Sequence, residues 1–237
     1  DPKDLQLSDA WILSRLARVN RDMSNKYETY GLGEAAKGLY EFVWNDFCDW
    51  YLELIKGRLN PGENATKAAL ADQLIARKVL SKVLTDLLVM LHPLMPHITE
   101  ELWHALTGLP EDTFLTSQAW PKFEESVLND TLEESFTELI QAIRVVRNLR
   151  AVACLKPSQR IPVRFVTGRK EFSALLKTAR EEIMILTRAN VLEVFDLDEA
   201  DSNPATKVLA AVSGELQVLL PIEGIVDLEA LRGRLEK

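Results

Sequence analysis

The chain has 237 residues, 47% of them apolar, which is enough to bury one large core or two smaller ones. No charge-free apolar run approaches the ~18 residues that mark a membrane span, and Asp1-Pro2-Lys3-Asp4 lacks the basic-then-apolar layout of a secretory signal; a cytoplasmic protein without membrane contact, excised from a longer chain that supplies the missing Met, is expected. The net charge of −8 argues against a polyanion partner, but its distribution argues for one: residues 1–140 carry −10, residues 141–180 carry +9 and residues 181–237 carry −7.

Ser8 is placed as the N-cap of a first helix, in which Ile12, Leu16, Val19, Met23 and Tyr27 recur at steps of three and four and draw one apolar stripe ending near Gly31. A second helix, 33–59, carries Leu39, Tyr40, Phe42, Val43, Trp44, Phe47, Trp50, Tyr51, Leu54 and Ile55 round more than one face, so neighbours must wrap it. Trp44 and Trp50 are assigned to the core, because aromatics at helical spacing in so apolar a segment pack more often than they stack on bases. Asp49 and Glu53 are expected to hold Arg15 or Arg18 across the bundle. Asn60-Pro61-Gly62 stops this helix, and a third runs from Asn64 or Thr66 to His92, apolar all round over 84–91 and broken by Pro93; it is the expected central rod. Thr99 is placed as the cap of a short helix that contains Trp103, another core assignment, and closes at Thr107-Gly108.

Residues 109–130 show no period and read as a long loop pinned by aromatics such as Trp120. Thr131 and Glu134 form a capping box for a last long helix, 131 to about 154, buried along Leu139, Ile143, Val146 and Leu149. After Lys156-Pro157-Ser158-Gln159 the period changes. A strand at 161–166, a helix at 171–188, a strand at 191–195 and a hairpin of 207–212 with 215–220 through Ser213-Gly214 are expected, then a further helix. The fold class is mainly α: a helical bundle over 1–156, a small α+β domain over 157–226 and the start of a C-terminal helix over 227–237.

His92, His97 and His104 have neither the spacing nor the companions of a zinc site, and Glu100-Glu101 suits the first turn of a helix through its dipole. Cys48 and Cys154 sit in expected helices far apart in sequence, where free thiols are the commoner state. The chemistry-bearing feature is cationic. Arg144, Arg147 and Arg150 recur every three residues, drifting about a third of a turn along the helix, and Lys156, Arg160 and Arg164 follow. No carboxylate lies between Gln141 and Lys170, so local pairing does not neutralise them, and these six are the candidate RNA-binding residues. The alternative is that some of them pair with the acidic faces of the bundle.

Cys48-Asp49-Trp50-Tyr51-Leu52-Glu53, then Leu91-His92-Pro93-Leu94-Met95-Pro96-His97-Ile98-Thr99-Glu100-Glu101-Leu102-Trp103, together with Leu7-Ser8-Asp9-Ala10-Trp11-Ile12-Leu13-Ser14-Arg15-Leu16, Arg147-Asn148-Leu149-Arg150-Ala151 and the closing 218–227 stretch, resemble a known family almost end to end. It is the anticodon-binding helical bundle of class I aminoacyl-tRNA synthetases, and within that class the valyl-tRNA synthetase family. The resemblance implies a valine-specific tRNA as partner, a catalytic domain in cis on the N-terminal side, a monomer, and a C-terminal coiled coil beginning in 227–237. The His-x-Gly-His and Lys-Met-Ser-Lys-Ser strings that mark the family's ATP site do not occur, so no catalytic residue, cofactor or metal is expected here. ATP, Mg and editing belong to the full-length ligase, which joins valine to its tRNA, and the chain alone is expected to be inactive. Ala153-Cys154-Leu155-Lys156-Pro157 departs from the polar turn usual in the family. Two rivals remain: the equivalent domain of an isoleucine-type synthetase, and a helical protein-interaction module.

Overall fold

The computed structural model describes residues 4–110, 112–197 and 207–222; the helix expected over 227–237 lies outside the described residues. The chain divides into two compact units, Asp1–Glu133 and Glu134–Lys237.

The first unit is helical. Helix α1, Leu7–Glu28, buries Ile12, Leu16, Val19 and Met23 on the expected stripe. Its cap is Gln6 rather than Ser8: the Gln6 N–H donates to Asp9 Oδ2 (3.2 Å), and Ser8 is buried inside the first turn. The second rod is continuous but not uniform. Helix α2, Leu32–Glu41, passes into a π-helical stretch, Phe42–Tyr51, and then into α3, Leu52–Leu59. The i→i+5 bonding of the middle stretch widens each turn, so Phe42, Phe47 and Tyr51 share the buried side although their spacing exceeds the α repeat. Trp50 is buried at 3% exposure. Trp44, expected in the core, is 51% exposed, because the wider turn rotates it outward, where its ring lies 6.1 Å from that of Tyr40.

Helix α4, Lys67–Leu91, starts at Thr66, whose Oγ1 accepts from the Ala69 N–H (3.2 Å). Helix α5, Pro96–Thr107, is begun by Pro96 at its first position, where the missing N–H costs nothing, and ended by Gly108 at φ 65°. Thr99 is therefore not its cap. It lies inside the helix, where its hydroxyl donates to Met95 O (2.9 Å) and stands 2.8 Å from His92 Nδ1. Trp103 packs in a buried cluster with Leu88 and Leu115. The loop after α5 is irregular apart from 3-10 turns at Leu115–Ser117 and Glu125–Val127, and Trp120 pins it: Nε1 donates to Asn20 Oδ1 (3.1 Å) and Ser24 Oγ (2.9 Å), and the ring meets Tyr27 edge-on at 5.5 Å.

Two polar networks lock the bundle. The fully buried Asp9 accepts from Arg58 Nη1 (3.0 Å) and Nη2 (2.8 Å) and from Tyr51 OH (3.0 Å), so its charge is met by a bidentate guanidinium. Glu133 accepts from Ser14 Oγ, Arg15 Nη1 (3.1 Å) and Arg18 Nε (2.8 Å), and Arg18 also binds Asp130. Arg15 reaches Asp46 (2.8 Å), not the expected Asp49 or Glu53; Asp49 is exposed, and Glu53 takes Lys56 (3.1 Å).

Helix α6, Asp130–Val152, begins in the first unit and runs on in the second. Asn129 caps it, its Oδ1 accepting from the Leu132 N–H (3.0 Å), in place of the expected Thr131. The second unit continues with β1 (Ile161–Thr167), α7 (Lys170–Thr178), α8 (Arg180–Thr187), β2 (Ala189–Asp196), β3 (Val208–Ser213) and β4 (Leu216–Pro221). The single helix expected over 171–188 is two, broken at Ala179. The sheet order is β2-β1-β4-β3, with β1 parallel to β2, antiparallel to β4, and β4 antiparallel to β3 through a turn in which Gly214 takes φ 58°. The parallel β1/β2 pair requires the α7–α8 crossover between them. Ile161, Val163, Phe165 and Val166 are buried, and β1 is the centre of this core.

Candidate functional site

The six candidate cations all fall in the second unit, on α6, on the turn that follows it and on β1. Arg144 and Arg147 are exposed on α6, and Arg147 Nε donates to Leu186 O (3.1 Å), tying the helix to the end of α8. Arg150 does not share their exposure. Each three-residue step moves a side chain about 60° round the axis, and two steps carry Arg150 beside the stripe of Val146 and Leu149. There it is 8% exposed, and Nη2 donates to Lys156 O (3.3 Å) and Gln159 O (2.7 Å). These bonds satisfy carbonyls of the turn that leaves the helix, where Cys154 takes φ 52° and breaks the α6 geometry. Cys154 is thus in an exposed turn rather than in a helix, and neither cysteine is in a disulfide.

Lys156 and Arg160 are exposed in that turn. Arg164, on β1, is held by Glu193 of β2 across the parallel register (2.7 Å), so its charge is largely met within the fold. The structure therefore brings Arg144, Arg147, Lys156 and Arg160 to the surface of one unit and turns Arg150 and Arg164 to internal bonds. Arg188, one residue before β2, was not singled out by the sequence because it lies outside the 141–180 island; the strand pairing that sets Ala189 opposite Ile161 was the missing signal.

Among the described residues no group of three or more His, Cys, Asp and Glu is placed to hold a metal ion, and no helix is long and apolar enough to cross a membrane. His92 bonds to Thr99, and His104 lies 3.4 Å from Glu100, so both are engaged at the two ends of α5. In the first unit a cavity of about 290 Å³ is lined by apolar side chains such as Leu16 and Val79 and by both signs of charge, Lys78, Lys82 and Lys122 with Asp86 and Glu124. In the second, one of about 220 Å³ lies beside Arg169, whose Nη1 donates to Glu138 (2.6 Å).

A family model described as the anticodon-binding domain of tRNA ligase matches residues 9–165. The chain is 66% identical over its whole length to a valine–tRNA ligase of Parasynechococcus marenigrum (strain WH8102), of which it covers 26%. It is 65% identical, again over its whole length, to a valine–tRNA ligase of Prochlorococcus marinus (strain MIT 9313), covering 25%. To one of Synechocystis sp. (strain ATCC 27184 / PCC 6803 / Kazusa) it is 42% identical over 99% of this chain and 25% of that one. The chain thus spans about a quarter of the length of the curated relatives it matches.

Proposed function

Because the chain belongs to the anticodon-binding domain family of tRNA ligases, we propose that it is the tRNA-binding part of a valine–tRNA ligase, working in the cytoplasm as one portion of a monomer whose catalytic domain lies in cis. The observation that carries this reading is the end-to-end likeness to relatives named valine–tRNA ligase, coupled with the positive 141–180 island in an otherwise acidic chain. The complete enzyme would use ATP, with Mg, to join valine to its tRNA. This chain's share is positioning: it holds the anticodon stem-loop so that the acceptor end meets the distant active site, where orientation governs rate. The match over 9–165 supports an anticodon-binding bundle in the first part of the chain; bounds of 1–156 for the bundle and 157–226 for a small α+β domain, with 227–237 as the start of a coiled coil, belong to the same proposal.

The proposed RNA contacts are Arg144, Arg147, Lys156 and Arg160, with Arg150 and Arg164 supporting them from inside. Each phosphate a cation neutralises releases counterions, so log affinity falls with log salt by about 0.7 to 0.9 per contact. Arg144→Gln with Arg147→Gln is expected to weaken tRNA binding by the 237-residue chain and to flatten that slope by about one to two. A gel-shift titration at several salt concentrations measures both. Unchanged affinity removes the α6 ridge from the interface, and a wild-type chain that does not shift tRNA removes the reading altogether. Binding that ignores salt would favour the protein-interaction module.

A further inference from the structure

Arg150 is a buried cation with no counter-charge among the described residues. Its Nη2 is taken by two carbonyls, its Nη1 has no hydrogen-bond partner, and it makes no ion pair. A buried charge left in that state is costly, because neither water nor a carboxylate offsets its desolvation. Two more arginines come to the same corner. In the parallel β1/β2 pair Ile161 stands opposite Ala189, so Arg160 and Arg188, each one residue earlier, precede the leading ends of neighbouring strands. Arg150 holds Gln159 O, the carbonyl just before Arg160. Arg160 and Arg188 are both exposed, and neither forms an ion pair among the described residues.

The backbone at Arg188 adds a second observation. It closes α8 at φ 54°, the left-handed position that glycine occupies without strain. A side chain there strains the fold, and this one makes no intramolecular ion pair in return. We propose that Arg160 and Arg188 form a phosphate-binding site for the RNA backbone at the leading end of β1 and β2, with Arg150 as a fixed positive charge beneath it. This rests on the RNA-binding reading and extends it to a residue outside the basic island. Burial and the nearby Arg188 charge together lower the Arg150 pKa from its ordinary value, as expected of cations gathered without an anion.

The test uses the 237-residue chain and a transcript of valine tRNA, titrated at several salt concentrations and paired with thermal melts. Arg188→Gly removes the cation and relieves both the backbone strain and the repulsion with Arg150. It is expected to flatten the salt slope by about 0.7 to 0.9 while the melting temperature holds or rises. A merely structural role predicts the reverse, a lower melting temperature with an unchanged slope. Arg160→Gln should flatten the slope by the same amount. Arg150→Gln should weaken binding in the wild-type background and weaken it less once Arg188 is glycine, since the charge beneath acts through the site above; additive effects would overturn that role. Wild-type affinity and slope in Arg188→Gly overturn the site while leaving RNA binding intact, whereas a wild-type chain that fails to bind the transcript overturns the RNA-binding reading first.

Discussion

Trp44 and Trp50 lie six residues apart in one apolar segment, and the structure separates them: one is half exposed beside Tyr40, the other 3% exposed. Trp50→Ala should cost roughly 3 to 5 kcal/mol, the range for a large aromatic removed from a packed core. Trp44→Ala should stay within about 0.5 kcal/mol of wild type, as surface changes do. Thermal melts of the two variants check this, and equal losses would mean that Trp44 is packed after all. The residue scale is where the sequence is least legible. Arg150 and Arg164 read as members of one cationic ridge, yet one donates to carbonyls of its own turn and the other to Glu193. A string shows that charges are close, and only the fold shows which way each one faces.

Helices are far more legible, because an apolar stripe or a proline stop is written in a few neighbouring residues. The stripe of α1 and the Gly108 end of α5 are readable from such local signals, and the start of α4 is narrowed to Asn64 or Thr66, of which Thr66 is the cap. Two of the capping misreadings come from a neighbour that reaches the helix start first: Asp9 bonds back to the Gln6 N–H in place of a Ser8 cap, and Asn129 takes the start of α6 from Thr131. The π-helical stretch has no sequence signature of its own, so an α period assigned over it misplaces a side chain such as Trp44. The first turn of α6 is tied down through Glu133. Burial alone would raise the Glu133 pKa, but hydrogen bonds from Arg18, Ser14 and Arg15 overcome it and hold the carboxyl below the usual carboxylate value. A group with a depressed folded pKa stabilises above its unfolded pKa, about 4.3 for glutamate, and that stabilisation is lost as pH falls through the folded value. Glu133→Gln should therefore lower the melting temperature at pH 7 and differ progressively less from wild type below pH ~4. A gap that stays constant down to pH 3 would show that the carboxylate's charge does not matter. Asp46 shares Arg15 with Glu133, and burial raises its pKa above the usual carboxylate value, so the comparison is with wild type at each pH.

For the whole molecule the question is what a chain that spans about a quarter of its relatives' length does alone. Its described residues present buried ion networks and exposed cations, and exposed cations are the groups that hold a polyanion. Aminoacyl transfer needs groups that cradle the ATP phosphates and stabilise the charge developing at the reacting phosphorus, and these must be preorganised in one site to lower the barrier. The sequence has no Gly-rich phosphate loop and neither ATP-site string. The chain supplied with valine, ATP, magnesium and tRNA is therefore expected to show no valine-dependent ATP–pyrophosphate exchange and no charged tRNA. Joining to it the remaining portion of a relative in one continuous polypeptide is expected to give both, and adding that portion as a separate chain to give much less. Two pieces must overcome an association cost of about 4 to 15 kcal/mol that a single chain largely avoids, and anticodon contacts help only when coupled to the active site. Exchange above background by the 237 residues alone would mean that the reaction chemistry lies within this chain, and the division between holding and reacting would fall.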